Sequence, residues 1–218
     1  MFTKTVRTIA IFMVASLLSP WAMAQEQFVE GTHYERIDVP VETGLEDSQP
    51  RQVEVVEVFS YMCIHCYSFD PVLERWKNNG KPASAAFSRL PAVFSSDWAL
   101  MAQAFYTAEI MGVSEQMHEP LFEAVHVKPV NLRDEDKMAE LFVDAAGVTT
   151  EEFTKAYNSF FVRSRVMQAQ AKSRAYGITG VPSLIVNGKY RVNGRMAGSS
   201  EGMLDVVNFL VEKESAMP

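Results

Sequence analysis

Residues 53–66 read Val53-Glu54-Val55-Val56-Glu57-Val58-Phe59-Ser60-Tyr61-Met62-Cys63-Ile64-His65-Cys66, and this stretch decides the fold of the chain. Its first half is β-branched and apolar, which predicts a strand, and a helix is predicted to run on from Cys63. Cys63 and Cys66 are the only cysteines of the chain, so a structural disulfide elsewhere is excluded. Two thiols at this spacing at a helix start predict a redox dithiol, which can close a small disulfide ring or exchange disulfides with another protein.

Residues 1–24 have the pattern of a secretory signal peptide. Lys4 and Arg7 give a basic start, residues 9–18 are largely apolar, and Ala22-Met23-Ala24 is a small-residue cleavage site. The alternative is an uncleaved membrane anchor, but the apolar run is shorter than the ~20 residues that span a bilayer. We therefore expect cleavage after Ala24 and export to a compartment in which disulfides persist.

The charge of the chain argues against two classes of partner. Removal of residues 1–24 takes away two cations and makes the net charge of −7 more negative by two. Such a surface does not favour nucleic acid or anionic lipid. The remaining length is enough for a sizeable core in one domain, or in one domain interrupted by another.

The hydrophobic pattern divides the mature chain into three parts. Residues 25–91 carry strand signals around the CxxC helix, whereas residues 92–168 have apolar side chains at helical spacing. Residues 169–218 return to strand signals on both sides of Asn187-Gly188, a hairpin turn, and end in an amphipathic helix. We therefore expect an α/β fold in which a helical domain is inserted between a β-α-β half and a β-β-α half.

Two local patterns predict details of the helices. Pro71 lies within the CxxC helix and predicts a kink there, because proline removes a backbone donor. The run Thr149-Thr150-Glu151-Glu152 is a capping box. It predicts the start of a long helix that continues to Gly177.

The two thiols are predicted to have different roles. Cys63 lies at the junction between the predicted strand and the predicted helix, so the free N–H groups and the dipole of the first helical turn favour its thiolate. Cys66 is one turn further in and is predicted to be more buried. We therefore predict that Cys63 attacks and Cys66 resolves. His65 lies between them, and as a cation it would stabilise the Cys63 thiolate and hence the reduced form, which makes an oxidant; the alternative is an exposed histidine with no role.

A zinc half-site is the other interpretation of the two cysteines. It needs a second pair of ligands, and the remaining histidines occupy scattered positions. We interpret His33, His118 and His126 as surface or packing residues and predict no metal.

Glu57 is the candidate for a buried carboxylate. Glu54 and Glu57 face opposite sides of the strand, so at least one of them is inside if the strand is central. Glu57 is nearer the thiols, and burial there would raise its pKa and let it pass protons to and from Cys66. The alternative is an exposed strand glutamate.

These features together resemble the thioredoxin superfamily and, within it, the DsbA-like family of disulfide oxidases. The resemblance rests on the strand–CxxC–helix unit, the helical block, Gly180-Val181-Pro182 before a strand, and the two runs Phe59-Ser60-Tyr61-Met62-Cys63 and Val186-Asn187-Gly188-Lys189-Tyr190. It covers nearly the whole mature chain and implies a thioredoxin fold.

The resemblance also implies roles for site residues and partners. Cys63 would be the nucleophile, Cys66 the resolving thiol, and Glu57 the buried acid of the family. Pro182 would be a cis proline facing the thiols, which leaves the backbone of Val181 free to hold an extended peptide. The family oxidises newly exported proteins in the periplasm, uses no cofactor beyond its own disulfide, and is reoxidised by DsbB, a quinone-linked membrane oxidase.

One position departs from the family pattern. The commonest inner pair of the family is Pro-His, whereas here it is Ile64-His65. Isoleucine restores a backbone N–H and loses the fixed φ of proline, so the strength of oxidation is open. An exported reductase or isomerase on the same fold and a chaperone-like peptide-binding module are the alternatives. Nothing resembles an added dimerisation domain, which disfavours the isomerase, and we expect a monomer.

Overall fold

The structure, a computed structural model, describes residues 27–45 and 52–217. The predicted signal peptide, residues 1–24, and its cleavage site lie outside the described residues.

A five-stranded mixed sheet organises the described part of the chain. Its strands are β1 (Glu35–Arg36), β2 (Val53–Phe59), β3 (Ala85–Pro91), β4 (Ser183–Val186) and β5 (Tyr190–Asn193). Their spatial order is β1-β5-β4-β2-β3. Strand β2 pairs in parallel with β3 and antiparallel with β4, so it is an interior strand, and all seven of its residues are buried.

Helices cover the sheet and fill the long connection between β3 and β4. They are α1 (Ile64–Asn79), α2 (Ser96–Met111), α3 (Ser114–His126), α4 (Glu135–Ala146), α5 (Thr150–Tyr157), α6 (Phe160–Ala175), α7 (Gly194–Ala197) and α8 (Ser200–Ser215). Helices α2 to α6 form the predicted insertion, so the predicted α/β fold with a helical insertion is confirmed. The predicted boundary at residue 168 falls inside α6, and the domain bounds stay a prediction.

The two faces of β2 belong to two separate cores. Val53 and Val55 pack with residues of α1 and α8 on one face. Val56 and Val58 pack with the helical insertion on the other. This alternation follows from the two-residue period of a strand. Successive residues of β2 therefore contact different helices on the two faces of the sheet.

Local signals account for most element ends. Gly112 and Gly147 adopt positive φ at the ends of α2 and α4, as expected for left-handed helix caps. Asn187 and Gly188 have φ of 51° and 63° and form the predicted hairpin turn. A Cβ at Gly188 would lie 1.9 Å from the carbonyl oxygen of Val41, so this position requires glycine for space as well as for conformation.

Helix α1 runs from Ile64 to Asn79 with Pro71 inside it, and the kink predicted at Pro71 stays a prediction. Two other local features differ from the sequence predictions. The predicted long helix is two helices, because Ser159 takes an extended conformation and its side chain accepts a hydrogen bond from the N–H of Val162, which caps a new helix. The capping box of Thr149 and Glu152 opens α5 as predicted. The short helix α7, capped by Asn193, has no counterpart in the predictions.

Candidate active site

The two thiols lie at the junction of β2 and α1. Cys63 is the N-cap of α1, in extended conformation, so its side chain stands at the open end of the helix. Both cysteines are free thiols; Cys63 is partly exposed, whereas Cys66 is fully buried. This difference in access is the one predicted from their order along the helix.

The surroundings of the two thiols separate their acidities. The hydrogen bond from Cys66 outweighs burial and, with the backbone N–H groups of Cys66 and His65 and the charge of His65, lowers the pKa of Cys63 to about 6. Burial raises the pKa of Cys66 far above its ordinary value, and the hydrogen bond to Cys63 and the negative charges of Cys63 and Glu57 raise it further. Cys63 is therefore the thiolate at neutral pH and Cys66 the thiol.

The segment before β4 lies directly against the thiols. The Val181–Pro182 peptide bond is cis, and Sγ of Cys63 lies 3.5 Å from the carbonyl oxygen of Val181, to which it donates when it is protonated. Strand pairing brings Val181 close to Cys63, because Ser183, the first residue of β4, is paired with Val58 near the end of β2. Beside this contact is a groove of about 750 Å³, lined in part by His65, Val181 and Pro182.

His65 and Ile64 are both exposed on the first turn of α1. His65 faces the groove and contributes through its charge and its backbone N–H to the low pKa of Cys63. The backbone N–H groups that lower the pKa of Cys63 most are those of Cys66 and His65. The N–H that Ile64 provides in place of proline is not among them.

Glu57 is buried on the α1 face of the sheet. Its side chain is 2% exposed and its Oε2 accepts a hydrogen bond from Nε of Arg89 at 2.8 Å. Burial raises the pKa of Glu57 in spite of the opposing charge of Arg89. The guanidinium is shared: its Nη2 also donates to Asp70 at 3.0 Å and to Glu74 at 2.6 Å. Because the single positive charge of Arg89 interacts with three carboxylates, it does not cancel the effect of burial on the pKa of Glu57.

Glu54 is buried as well, on the opposite face of β2. Its Oε1 accepts from the backbone N–H of Gly44 at 2.8 Å and lies 3.7 Å from Nζ of Lys172 on α6. Both glutamates are therefore inside, and only Glu57 faces the helix that carries the thiols.

Sequence reasoning missed the polar residues around Glu57. Ligand atoms of Asp70, Glu74 and His118 lie within 4.8 Å of one another, which is a possible cation site. Arg89 already donates to both of these carboxylates, so a metal ion would compete with a buried guanidinium. The spacing of Asp70 and Glu74 places them on one face of a helix, but nothing local shows that Arg89 and His118 meet them there.

His118 and His126 are more than packing residues. Both lie on α3 and contact Tyr61, two residues before Cys63. Nδ1 of His118 is 3.0 Å from the Tyr61 hydroxyl, and Nε2 of His126 is 2.8 Å from its carbonyl oxygen. The His126 ring also stacks on Tyr67. The interpretation of these two histidines as surface or packing residues was incomplete, because their partners are 57 and 65 residues away in sequence.

A reactive thiol at the start of a helix, with a protonated thiol buried beneath it and a cis-proline segment against it, defines a class: thioredoxin-fold dithiol proteins that exchange disulfides. Comparisons with known proteins identify the family within this class. The family model described as a DSBA-like thioredoxin domain matches residues 81–201.

Curated relatives and solved structures agree with this match. Thiol:disulfide interchange protein DsbA of Pseudomonas aeruginosa is 39% identical over 95% of this chain and 95% of its own length. The protein of the same name from Azotobacter vinelandii is 41% identical over 81% of each chain. The crystal structure of P. aeruginosa DsbA has a TM-score of 0.79, with 87% of this chain and 95% of that chain covered, at 39% identity. Oxidoreductase DsbA from Xylella fastidiosa has a TM-score of 0.78 at 30% identity and covers 88% of this chain and 100% of its own.

The chain belongs to the DsbA-like family and is a protein disulfide oxidoreductase with a thioredoxin fold. None of the helices within residues 27–45 and 52–217 combines the length and the apolar character that crossing a bilayer requires.

Proposed function

We propose that this oxidoreductase donates the Cys63–Cys66 disulfide to newly exported proteins in the periplasm, after a signal peptide is removed behind Ala24. The observation that carries the proposal is the asymmetry of the thiol pair. Cys63 is accessible with a pKa of about 6, whereas Cys66 is buried with a raised pKa. A pair whose reduced form holds a stabilised thiolate gives up its disulfide readily.

The first step opens the disulfide of the oxidised protein. A substrate thiolate attacks Sγ of Cys63, a substrate–Cys63 disulfide forms, and the Cys63–Cys66 bond breaks. Cys66 leaves as a thiolate, and because burial raises its pKa it takes up a proton. Glu57, buried with a raised pKa, supplies that proton as a general acid.

The second step releases the product. A second thiolate of the substrate attacks the substrate sulfur of the mixed disulfide and displaces Cys63, whose low pKa makes it a good leaving group. Two substrate thiols are oxidised to one disulfide, and the protein disulfide is reduced to a thiolate and a thiol. The groove beside Val181 and Pro182 accommodates the extended substrate backbone during both steps, with Val181 as its hydrogen-bonding partner.

Reoxidation reverses the roles at the pair. The Cys63 thiolate attacks a disulfide of a DsbB-like, quinone-linked membrane oxidase. Cys66 then loses its proton to the Glu57 carboxylate and displaces the partner from Cys63. The protein therefore needs no cofactor beyond its own disulfide.

Reaction with a peptide that contains two cysteines tests this function. The oxidised mature chain is mixed with the reduced peptide, and peptide disulfide and mixed disulfide are followed by quenching and mass measurement. We expect stoichiometric oxidation by the wild type and none by Cys63→Ser. With Cys66→Ala, which has no disulfide to donate, the peptide is supplied in its disulfide form; the Cys63 thiolate attacks it, one peptide thiol is released, and a Cys63-linked peptide should accumulate because no second thiol displaces it from Cys63. Binding without oxidation by the wild type would instead support a chaperone-like module.

The redox potential separates an oxidase from a reductase. We expect equilibration with glutathione to leave the Cys63–Cys66 pair largely reduced under conditions in which an ordinary structural disulfide stays closed. A pair that stays oxidised against a reducing glutathione buffer would identify a reductase.

A further inference from the structure

His118 of α3 joins the helical insertion to the polar residues around Glu57. Its Nε2 is 2.9 Å from Oδ1 of Asp70, and its Nδ1 is 3.0 Å from the hydroxyl of Tyr61. An ionised carboxylate only accepts hydrogen bonds, so Nε2 carries the proton and donates to Asp70. The ring also packs against Phe59 and Phe122, which restricts its orientation.

Asp70 connects this histidine to the buried acid. The same Oδ1 atom accepts from His118 and, at 3.0 Å, from Nη2 of Arg89. Arg89 in turn donates through Nε to Oε2 of Glu57 at 2.8 Å. An unbroken series of hydrogen bonds therefore runs from α3 through α1 and β3 to the carboxyl group of Glu57.

The charges along this series are unequal in number. Arg89 is the cation buried among the carboxylates of Glu57, Asp70 and Glu74, and Lys77 adds a second cation at Glu74, 2.8 Å away. In a largely buried site such charges are weakly screened. The hydrogen bond that His118 donates to Asp70 offsets part of the negative charge of Asp70. The attraction between Asp70 and Arg89 is then weaker, and the guanidinium interacts more strongly with Glu57.

We propose that His118 is a positioning residue for the acid–base chemistry of Glu57: by holding Asp70, it keeps Arg89 directed at the Glu57 carboxylate when Cys66 has to lose its proton. The inference rests on the proposed role of Glu57 and adds the helical insertion to it. The charged and titratable groups that face His118 or its partners come from every neighbouring element. They include Glu57 on β2, Tyr61 in the connection to α1, Cys63 at the start of α1, Cys66, Asp70, Glu74 and Lys77 on α1, Arg89 on β3, Glu109 on α2 and His126 on α3.

A chromogenic disulfide isolates the step in which Cys66 loses its proton. The reduced protein attacks dithiobis(nitrobenzoate) through Cys63 and releases one thionitrobenzoate. Cys66 then displaces the second thionitrobenzoate from Cys63, the Cys63–Cys66 disulfide forms, and the Cys66 proton passes to Glu57 and then to buffer. In the wild type the rate of this second release should rise with pH through the pKa of Glu57, because the carboxylate form is the base.

Two substitutions at the ends of one hydrogen bond should move this rise in opposite directions. His118→Phe keeps an aromatic ring but removes the donor that offsets Asp70, so the midpoint should move to higher pH by up to about one unit, less than a full nearby charge produces. Asp70→Asn removes the negative charge itself, so the midpoint should move to lower pH. Loss of folding stability alone would not produce displacements of opposite sign.

His126→Phe is the matched control, because His126 lies on the same helix and contacts Tyr61 but is not bonded to Asp70. Its midpoint should equal that of the wild type; a displacement as large as that of His118→Phe would make the effect one of α3 packing and overturn the proposal. A wild-type midpoint in His118→Phe, with the rise abolished in Glu57→Gln, would refute the role of His118 and leave that of Glu57 standing. Persistence of the rise in Glu57→Gln would refute the role of Glu57 itself. If His118→Phe does not fold, Asp70→Asn decides, since an unchanged midpoint there is equally contrary.

Discussion

Acidification should remove the stability that the Cys63 thiolate gives to the reduced protein. The pKa of Cys63 is lowered from 9.0 to about 6 in the folded chain. A group whose pKa is depressed by folding stabilises the folded state above its unfolded pKa and loses that contribution as the pH falls through its folded pKa. The disulfide form has no such group, so only the reduced form should lose stability from this source between pH 8 and pH 5.

The size of the effect follows from these two pKa values. At pH 8 the folded thiol is ionised and the unfolded thiol is mostly protonated, which corresponds to about 2.7 kcal/mol at about 1.36 kcal/mol per pKa unit. Because the Cys63 sulfur is only half-buried, solvent screening reduces this to about 1–2 kcal/mol. At pH 5 both states are protonated and the contribution is close to zero. Cys66 adds little in this range, because it is protonated in both states below pH 8.

Urea unfolding of the reduced and disulfide forms at pH 5, 6, 7 and 8 measures this contribution. The free energy of unfolding of the reduced form should rise relative to that of the disulfide form by about 1–2 kcal/mol from pH 5 to pH 8. Carboxylates titrate in both forms and largely cancel in the difference. Cys63→Ser is the control, because it keeps Cys66 and lacks the thiolate, and its difference from the disulfide form should be flat. A difference that stays constant, or that grows as the pH falls, would refute a stabilised thiolate.

Two further predictions concern the same pair. Glu57→Gln should slow closure of the Cys63–Cys66 disulfide about 10²-fold or more, the usual contribution of a positioned acid or base, with little loss of stability because Arg89 keeps Asp70 and Glu74 as partners; Glu54→Gln, on the other face of β2, is the control and should close at the wild-type rate. In alkylation of the reduced protein across pH, Cys63 should react with a midpoint near its pKa of about 6 while Cys66 stays unlabelled. Cys66→Ala should raise this midpoint more than His65→Ala does, because the hydrogen bond from Cys66 is the larger cause; the reverse order, or preferential labelling of Cys66 at acid pH, would contradict the assigned roles.

The sequence alone determined the features that depend on neighbouring residues. A β-branched run followed by Cys63 and Cys66 predicted the strand, the helix and the order of the thiols. Asn187-Gly188 predicted a hairpin turn, and the apolar spacing of residues 92–168 predicted a helical insertion. These features can be predicted from the sequence because periodicity, capping and turn conformation depend on residues only a few positions apart. At Ser159 the apolar spacing of one long helix continues across the boundary, and the serine cap that starts α6 is a weaker local signal than that spacing.

Only the tertiary structure decided which groups meet around the thiols. Arg89 reaches Glu57 across 32 residues of sequence, His118 reaches Asp70 across 48, and Val181 reaches Cys63 across 118. The first contact depends on the register of β2 and β3, the second on the packing of α3 against α1, and the third on the pairing of β4 with β2. The pKa of a buried group is the sum of desolvation and the charges placed near it, and both are consequences of packing over the whole fold, which a sequence of residue types does not contain.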